Sequence, residues 1–87
     1  MPSKPRAADC ASGRLFWCGP VDPCAICQRP LAEEPGFGDV EVPGAGGAWG
    51  LLCLPCCAAA RTPWGWGTGQ QYSRRPDGRW ALCRGLG

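Results

Sequence analysis

Eight cysteines carry most of the chemistry available to this 87-residue chain, and four of them fall in a regular pattern, Cys24-x2-Cys27-x25-Cys53-x2-Cys56. Two residues between paired cysteines let one tight turn aim both sulfurs at a single point, and zinc takes four soft ligands in a tetrahedron. Two such pairs separated by a loop describe a closed structural zinc site, so one zinc ion is expected at Cys24, Cys27, Cys53 and Cys56. Cys57 directly follows Cys56, and the sequence leaves open which of the two is the fourth ligand. The other cysteines, Cys10, Cys18, Cys57 and Cys83, lack paired spacing. They could gather in a second four-thiolate site, giving two zinc ions, or serve as buried or surface thiols, since cysteine is often a small core residue.

Catalytic chemistry is poorly provided for. The chain has no histidine, which removes imidazole bases and Cys-His or Ser-His nucleophile pairs. A zinc saturated by four thiolates offers no open position to water. The run GAGGAWG lacks the Lys-Ser/Thr that completes a phosphate-binding loop. Trp17-Cys18-Gly19-Pro20 looks like a thioredoxin active-site run, but Val21 stands where the resolving cysteine belongs. The expectation is a non-enzyme with no small-molecule substrate.

The elements that must position the four sulfurs can be read in outline. Pro23 leads into the knuckle Cys24-Ala25-Ile26-Cys27, Glu33 to Gly38 reads as a turn, and Asp39-Val40-Glu41-Val42 alternates like a half-buried strand. After the flexible loop Pro43 to Gly47, Ala48 to Leu52 reads as a second strand that delivers Cys53. Pro55 suits a helix first turn and Thr62-Pro63 ends that helix. Gln70 to Arg75 and Arg79 to Cys83 flank Pro76-Asp77-Gly78, a three-residue hairpin signal that pairs Arg74 with Trp80 and Tyr72 with Leu82, leaving Arg84 beyond the strand. Knuckle, hairpin and short helix, carried by CAICQRPL and LLCLPCCAAAR, resemble a treble-clef or zinc-ribbon four-cysteine finger. CAICQRPLAEE and LCLPCCAA are similar to the finger of DksA/TraR-type regulators, without the coiled coil that precedes it there, and LLCLPC resembles GATA-type fingers. The resemblance spans about residues 22–61 and implies the fold and the four zinc ligands, not a function.

The fold class expected is therefore a small metal-stabilised α+β domain: a treble-clef-like finger with an added C-terminal β-hairpin. Residues 1–12 read as a flexible leader and 13–87 as one zinc-binding domain, with the finger at about 22–61 and an aromatic loop and hairpin at 62–87. The need for a staple is plain from composition. Leu, Ile, Val and Phe together number 13 while Gly and Pro number 24, and a chain this short rarely holds itself together by such a core. No apolar run could serve as a signal-peptide core or cross a membrane, so the expected setting is the cytoplasm, where thiols stay reduced and paired cysteines favour metal.

Charge and aromatic placement bear on partners. Formal charge is +2, and a zinc held by four thiolates adds a centre of net −2 that brings the whole close to neutral. Residues 20–56 are acidic, and residues 57–87 carry Arg61, Arg74, Arg75, Arg79 and Arg84 against Asp77. Trp49, Trp64, Trp66 and Trp80 exceed what so poor an aliphatic complement is expected to bury, although several could themselves be the core. Trp and Arg favour interface hot spots, which points to docking on a larger protein assembly through Trp64, Trp66, Arg74, Arg75, Arg79 and Trp80. The alternative use of the same hairpin is nucleic-acid binding, arginines on phosphates and aromatics on bases.

Overall fold

The computed structural model describes residues 7–8, 16–65 and 67–85. They build a six-stranded, wholly antiparallel sheet and one short helix. In chain order the strands are β1 (Ala7–Ala8), β2 (Phe16–Trp17), β3 (Gly36–Glu41), β4 (Trp49–Cys53), β5 (Gly69–Arg74) and β6 (Trp80–Arg84). The helix α1 (Leu54–Ala59) follows β4 directly, and a single 3-10 turn, Leu31–Glu33, precedes β3. Spatial order is β1-β2-β6-β5-β3-β4, a small α+β arrangement dominated by strands.

β3 differs most from its sequence reading. Gly36 and Gly38 suggest a turn, yet both lie inside the strand, which is buried from Gly36 to Val40. A Cβ on Gly36 would sit 2.6 Å from the Tyr72 carbonyl oxygen, and one on Gly38 only 2.7 Å from Cys57 Sγ. These glycines are there for close approach: they let α1 and its cysteine lie flat on one face of the sheet. The strand is central, pairing Phe37 with Cys53 on one side and with Tyr72 on the other. Because side chains alternate along a strand, Phe37, Cys53 and Tyr72 share the opposite face.

That second face holds the core. Phe37, Tyr72, Trp80 and Trp17 form an aromatic cluster, with ring centroids 4.8 Å apart for Phe37–Trp80, 5.5 Å for Phe37–Tyr72 and 5.7 Å for Trp17 with Phe37 and with Tyr72. Leu31 is fully buried as well, as are Val40 and Leu52 on the α1 face. Trp80 is thus core and not surface, which corrects its place among the partner-binding residues. Tryptophan and tyrosine stand in for the missing aliphatics, because each large ring buries the area of two small side chains.

The C-terminal hairpin follows its expected register, Arg74 opposite Trp80 and Tyr72 opposite Leu82. Its turn places Gly78 at φ 88°, and Asp77 Oδ1 accepts the Arg79 N–H at 2.9 Å. Arg84 is inside β6 and pairs with Gln71 across a bulge, not beyond the strand. The hairpin is no appendage: β5 pairs along β3 from Gly69 to Ser73, so finger and hairpin share one sheet. Within the stretch read as a flexible leader, Ala7–Ala8 pairs with β2 as β1. The rest of 1–12, including Cys10, lies outside the described residues, as does Trp66. No helix among the described residues is long and apolar enough to cross a membrane.

Candidate metal centre

The first cysteine pair sits on a turn built from its own backbone. The N–H groups of Ile26 and Cys27 both point at Cys24 Sγ at 3.5 Å, Gln28 N–H donates to the Cys24 carbonyl at 2.9 Å, and Cys24 N–H donates to the Arg29 carbonyl at 3.0 Å. Closing this turn puts Gln28 at φ 68°, a left-handed conformation that most side chains avoid. The Ala25 N–H donates to the Leu51 carbonyl at 2.9 Å, which docks the turn onto β4. Since β4 ends in Cys53, one hydrogen bond fixes the first pair against the second.

The second pair straddles a strand-to-helix junction. Cys53 occupies the N-cap of α1, Pro55 fills the first turn where its missing N–H is not required, and Cys56 faces back toward Cys53. At the other end Arg61 adopts φ 53°. Its N–H donates to the Ala58 carbonyl, and the Thr62 N–H donates to the Cys57 carbonyl. This paired pattern closes a helix in the Schellman manner. A helix of six residues has little stability of its own, so α1 is held by the sheet beneath it and by the sulfurs at its start.

The four sulfurs converge. Cys24, Cys27, Cys53 and Cys56 place their Sγ atoms within 4.8 Å of one another, with Cys27 and Cys53 at 3.7 Å. A tetrahedron with Zn–S bonds of about 2.3 Å has edges of about 3.8 Å, so the site is already near the size zinc requires. An all-thiolate set of this geometry fits zinc among the common metals. Cys24 and Cys53 are fully buried, Cys56 is half-buried and Cys27 is exposed, so the centre lies at the rim of the core.

The electrostatics suit a bound cation. At Cys24 burial opposes ionisation, but the backbone N–H groups of Cys27, Cys53 and Ile26 outweigh it and lower the thiol from the usual 9.0 to about 6. Once one thiolate is present its neighbours resist joining it. Cys56 is pushed up to about 12, first by its contact with the Cys53 sulfur and then by burial and by Cys24 and Cys27. Cys53 is raised as well, chiefly by burial. Four thiolates this close are stable together only around a metal. Arg29, raised by Cys53 and Cys27 and by Glu34, which it meets at 3.5 Å, offsets part of the negative charge from outside. The sequence reading missed Arg29, whose only signal was being the lone basic residue within two positions of a ligand.

The choice between Cys56 and Cys57 is decided by direction. Cys57 is buried on the far side of α1, its Sγ 3.9 Å from the Leu52 carbonyl oxygen, and burial pushes its thiol up to about 11. It is a packing residue. The second four-thiolate site does not assemble among the described residues: Cys18 is disulfide-bonded, Cys57 faces the sheet, and Cys83 is exposed, its Sγ 3.1 Å from the Ser73 hydroxyl.

Of the residues assigned to a partner surface, Trp64 is half-buried beside α1, and the guanidinium of Arg84 lies 5.6 Å from its ring centroid. Arg74 donates to the Ala32 carbonyl at 3.0 Å and lies 5.7 Å from the Trp80 ring. Arg79 binds Asp77 and stacks 4.2 Å from the Phe16 ring. Arg75 pairs its backbone with Arg79 across the turn. Ile26, at the tip of the knuckle, is the exposed large hydrophobic residue among those described, so tryptophan is not displayed in excess there. No protein-family model, curated protein or solved structure matches this chain at a significant level.

Proposed function

We propose that the chain is a non-enzymatic, zinc-stabilised docking module, a finger of treble-clef type whose sheet is extended by the C-terminal hairpin. The observation that carries this reading is the closed set of four sulfurs. All four zinc positions are taken by the protein, so the metal holds the fold and is not open to substrate. Six free thiols among the described residues suit a reducing, cytoplasmic setting, with Cys18 the exception.

The docking surface in this proposal is the cleft of about 240 Å³ between α1 and the end of the hairpin, lined by Leu54, Ala58, Arg61, Trp64 and Arg84 among others. A tryptophan wall with two guanidinium groups beside it is the composition of an interface hot spot, and its charge suits an acidic segment of a larger protein. Arg74 and Arg79 are each engaged within the molecule, which favours protein docking over a nucleic-acid surface that would need them free.

Capture of partners by the zinc-loaded chain, compared with Trp64→Ala and Arg84→Glu, tests the reading. Loss of the same acidic partner in both variants, at unchanged zinc content, is the expected result. Retention on a mixed DNA and RNA column at about 50 mM salt that disappears at about 200 mM would instead favour the nucleic-acid reading.

A further inference from the structure

On the opposite face from α1 lies a second cleft of about 220 Å³, to which Trp17, Gly19, Pro20, Asp22, Trp49 and Leu51 contribute. It is smaller than the roughly 300 Å³ at which drug-sized sites begin, so it suits a head group and not a whole organic ligand. Two indoles line it, and the nearer core holds one of them rigid. Trp17 Nε1–H donates to the Pro20 carbonyl at 3.0 Å, and the ring packs edge-on against Phe37 and Tyr72. Trp49 is carried by β4, and Gly19 lies against the Trp17 ring, where a Cβ would stand 3.5 Å from it in ordinary contact.

Among the described residues the charge lining this cleft has one sign: Asp22 is the ionisable one, with neither Lys nor Arg beside it. Glu41 is the cross-strand partner of Trp49, on the same face at the rim. The first cleft, lined by Arg61 and Arg84, would reject a cation; this one would attract it. A neutral apolar ligand would strip water from Asp22 with nothing in return. An unmodified ammonium is strongly hydrated and brings three N–H donors, for which the cleft offers the exposed Asp22 carboxylate beside a Pro20 carbonyl that already accepts from Trp17. A cation without donors avoids both costs and gains from indole walls.

We propose that this cleft is a cation site that takes a trimethylammonium head, the shared chemistry of a trimethylated lysine side chain and of a small quaternary amine such as choline. The site stands apart from the docking cleft at Trp64 and does not depend on it.

Titration of the full zinc-loaded chain, followed by calorimetry and tryptophan fluorescence, tests this. The probes are a trimethyllysine peptide, the same peptide with unmodified lysine, its neutral tert-butyl isostere, and choline. The trimethylammonium form binds saturably and about tenfold or more tighter than the neutral isostere, as a cation–π site requires. Asp22→Asn and Trp49→Ala each weaken it severalfold. Because Asp22 is exposed, Asp22→Asn keeps the fold and zinc content even if Trp49→Ala does not. Binding of the peptide without choline assigns the lysine side chain; the reverse assigns the free amine. Equal binding of the tert-butyl isostere, or no saturable binding of either cation, overturns the proposal.

Discussion

Replacing Gly38 by alanine should destabilise this protein, although a glycine inside a strand usually gives way to alanine at a profit. Removing the extra freedom of a strand glycine favours the folded state by roughly 0.5–1 kcal/mol. Here the added Cβ would lie 2.7 Å from Cys57 Sγ and 3.1 Å from both Trp64 Cη2 and Val40 Cγ1. Cys57 sits on α1, between Cys56 of the four-sulfur cluster and the Schellman closure, and cannot retreat without lifting the helix. Overpacking costs about 1–3 kcal/mol, and a 2.7 Å contact belongs at the upper end, so the net loss is about 2 kcal/mol. Combining the change with Cys57→Ala removes the shortest contact and should recover about 1 kcal/mol as a favourable coupling in a double-mutant cycle. Denaturant unfolding at one fixed excess of free zinc reads both values, since stability here depends on metal concentration. A neutral or stabilising Gly38→Ala, or a cost unchanged by Cys57→Ala, would refute the claim that α1 lies directly on β3.

Three further outcomes follow from the same geometry. Cys56→Ser should lose tight zinc binding while Cys57→Ala keeps it and loses only about 1 kcal/mol of packing, as a competition assay with a chromophoric chelator can show. Zinc needs thiolates, so apparent affinity falls as pH drops, because Cys56, held up at about 12, yields its proton only to the metal. The slope should steepen below about 6, where Cys24 also rebinds a proton. A slope unchanged below about 6 would contradict the lowered thiol at Cys24. Trp80→Ala should cost about 3–5 kcal/mol as judged by thermal melting, whereas a surface tryptophan would cost little.

The four-cysteine cluster was legible because metal chemistry fixes residue type and spacing locally. The knuckle, the β3–β4 hairpin, the helix after Pro55 and the turn at Pro76-Asp77-Gly78 were legible for the same reason, each being signalled within a few residues. What was not legible depended on contacts between distant segments. Gly36 and Gly38 looked like turn residues because their purpose is the approach of Cys57 and of Tyr72, which lie far along the chain. Trp80 looked displayed because only the sheet order puts it against Phe37. The cleft at Asp22 joins residues from β2 to β4 that no local pattern connects. Cys56 and Cys57 were indistinguishable in sequence and became distinct once the helix gave them opposite directions.

The central claim is that the four sulfurs bind one zinc and that this metal holds the fold, a contribution on the order of 10 kcal/mol in comparable peptides. Native mass spectrometry of the purified chain, followed by chelator titration under near-UV circular dichroism, tests it most directly. One zinc per chain, lost together with the near-UV signal and with cooperative melting, is the predicted result. A chain that carries no zinc, or that keeps its near-UV signal and cooperative melting once the metal has been stripped, would contradict it.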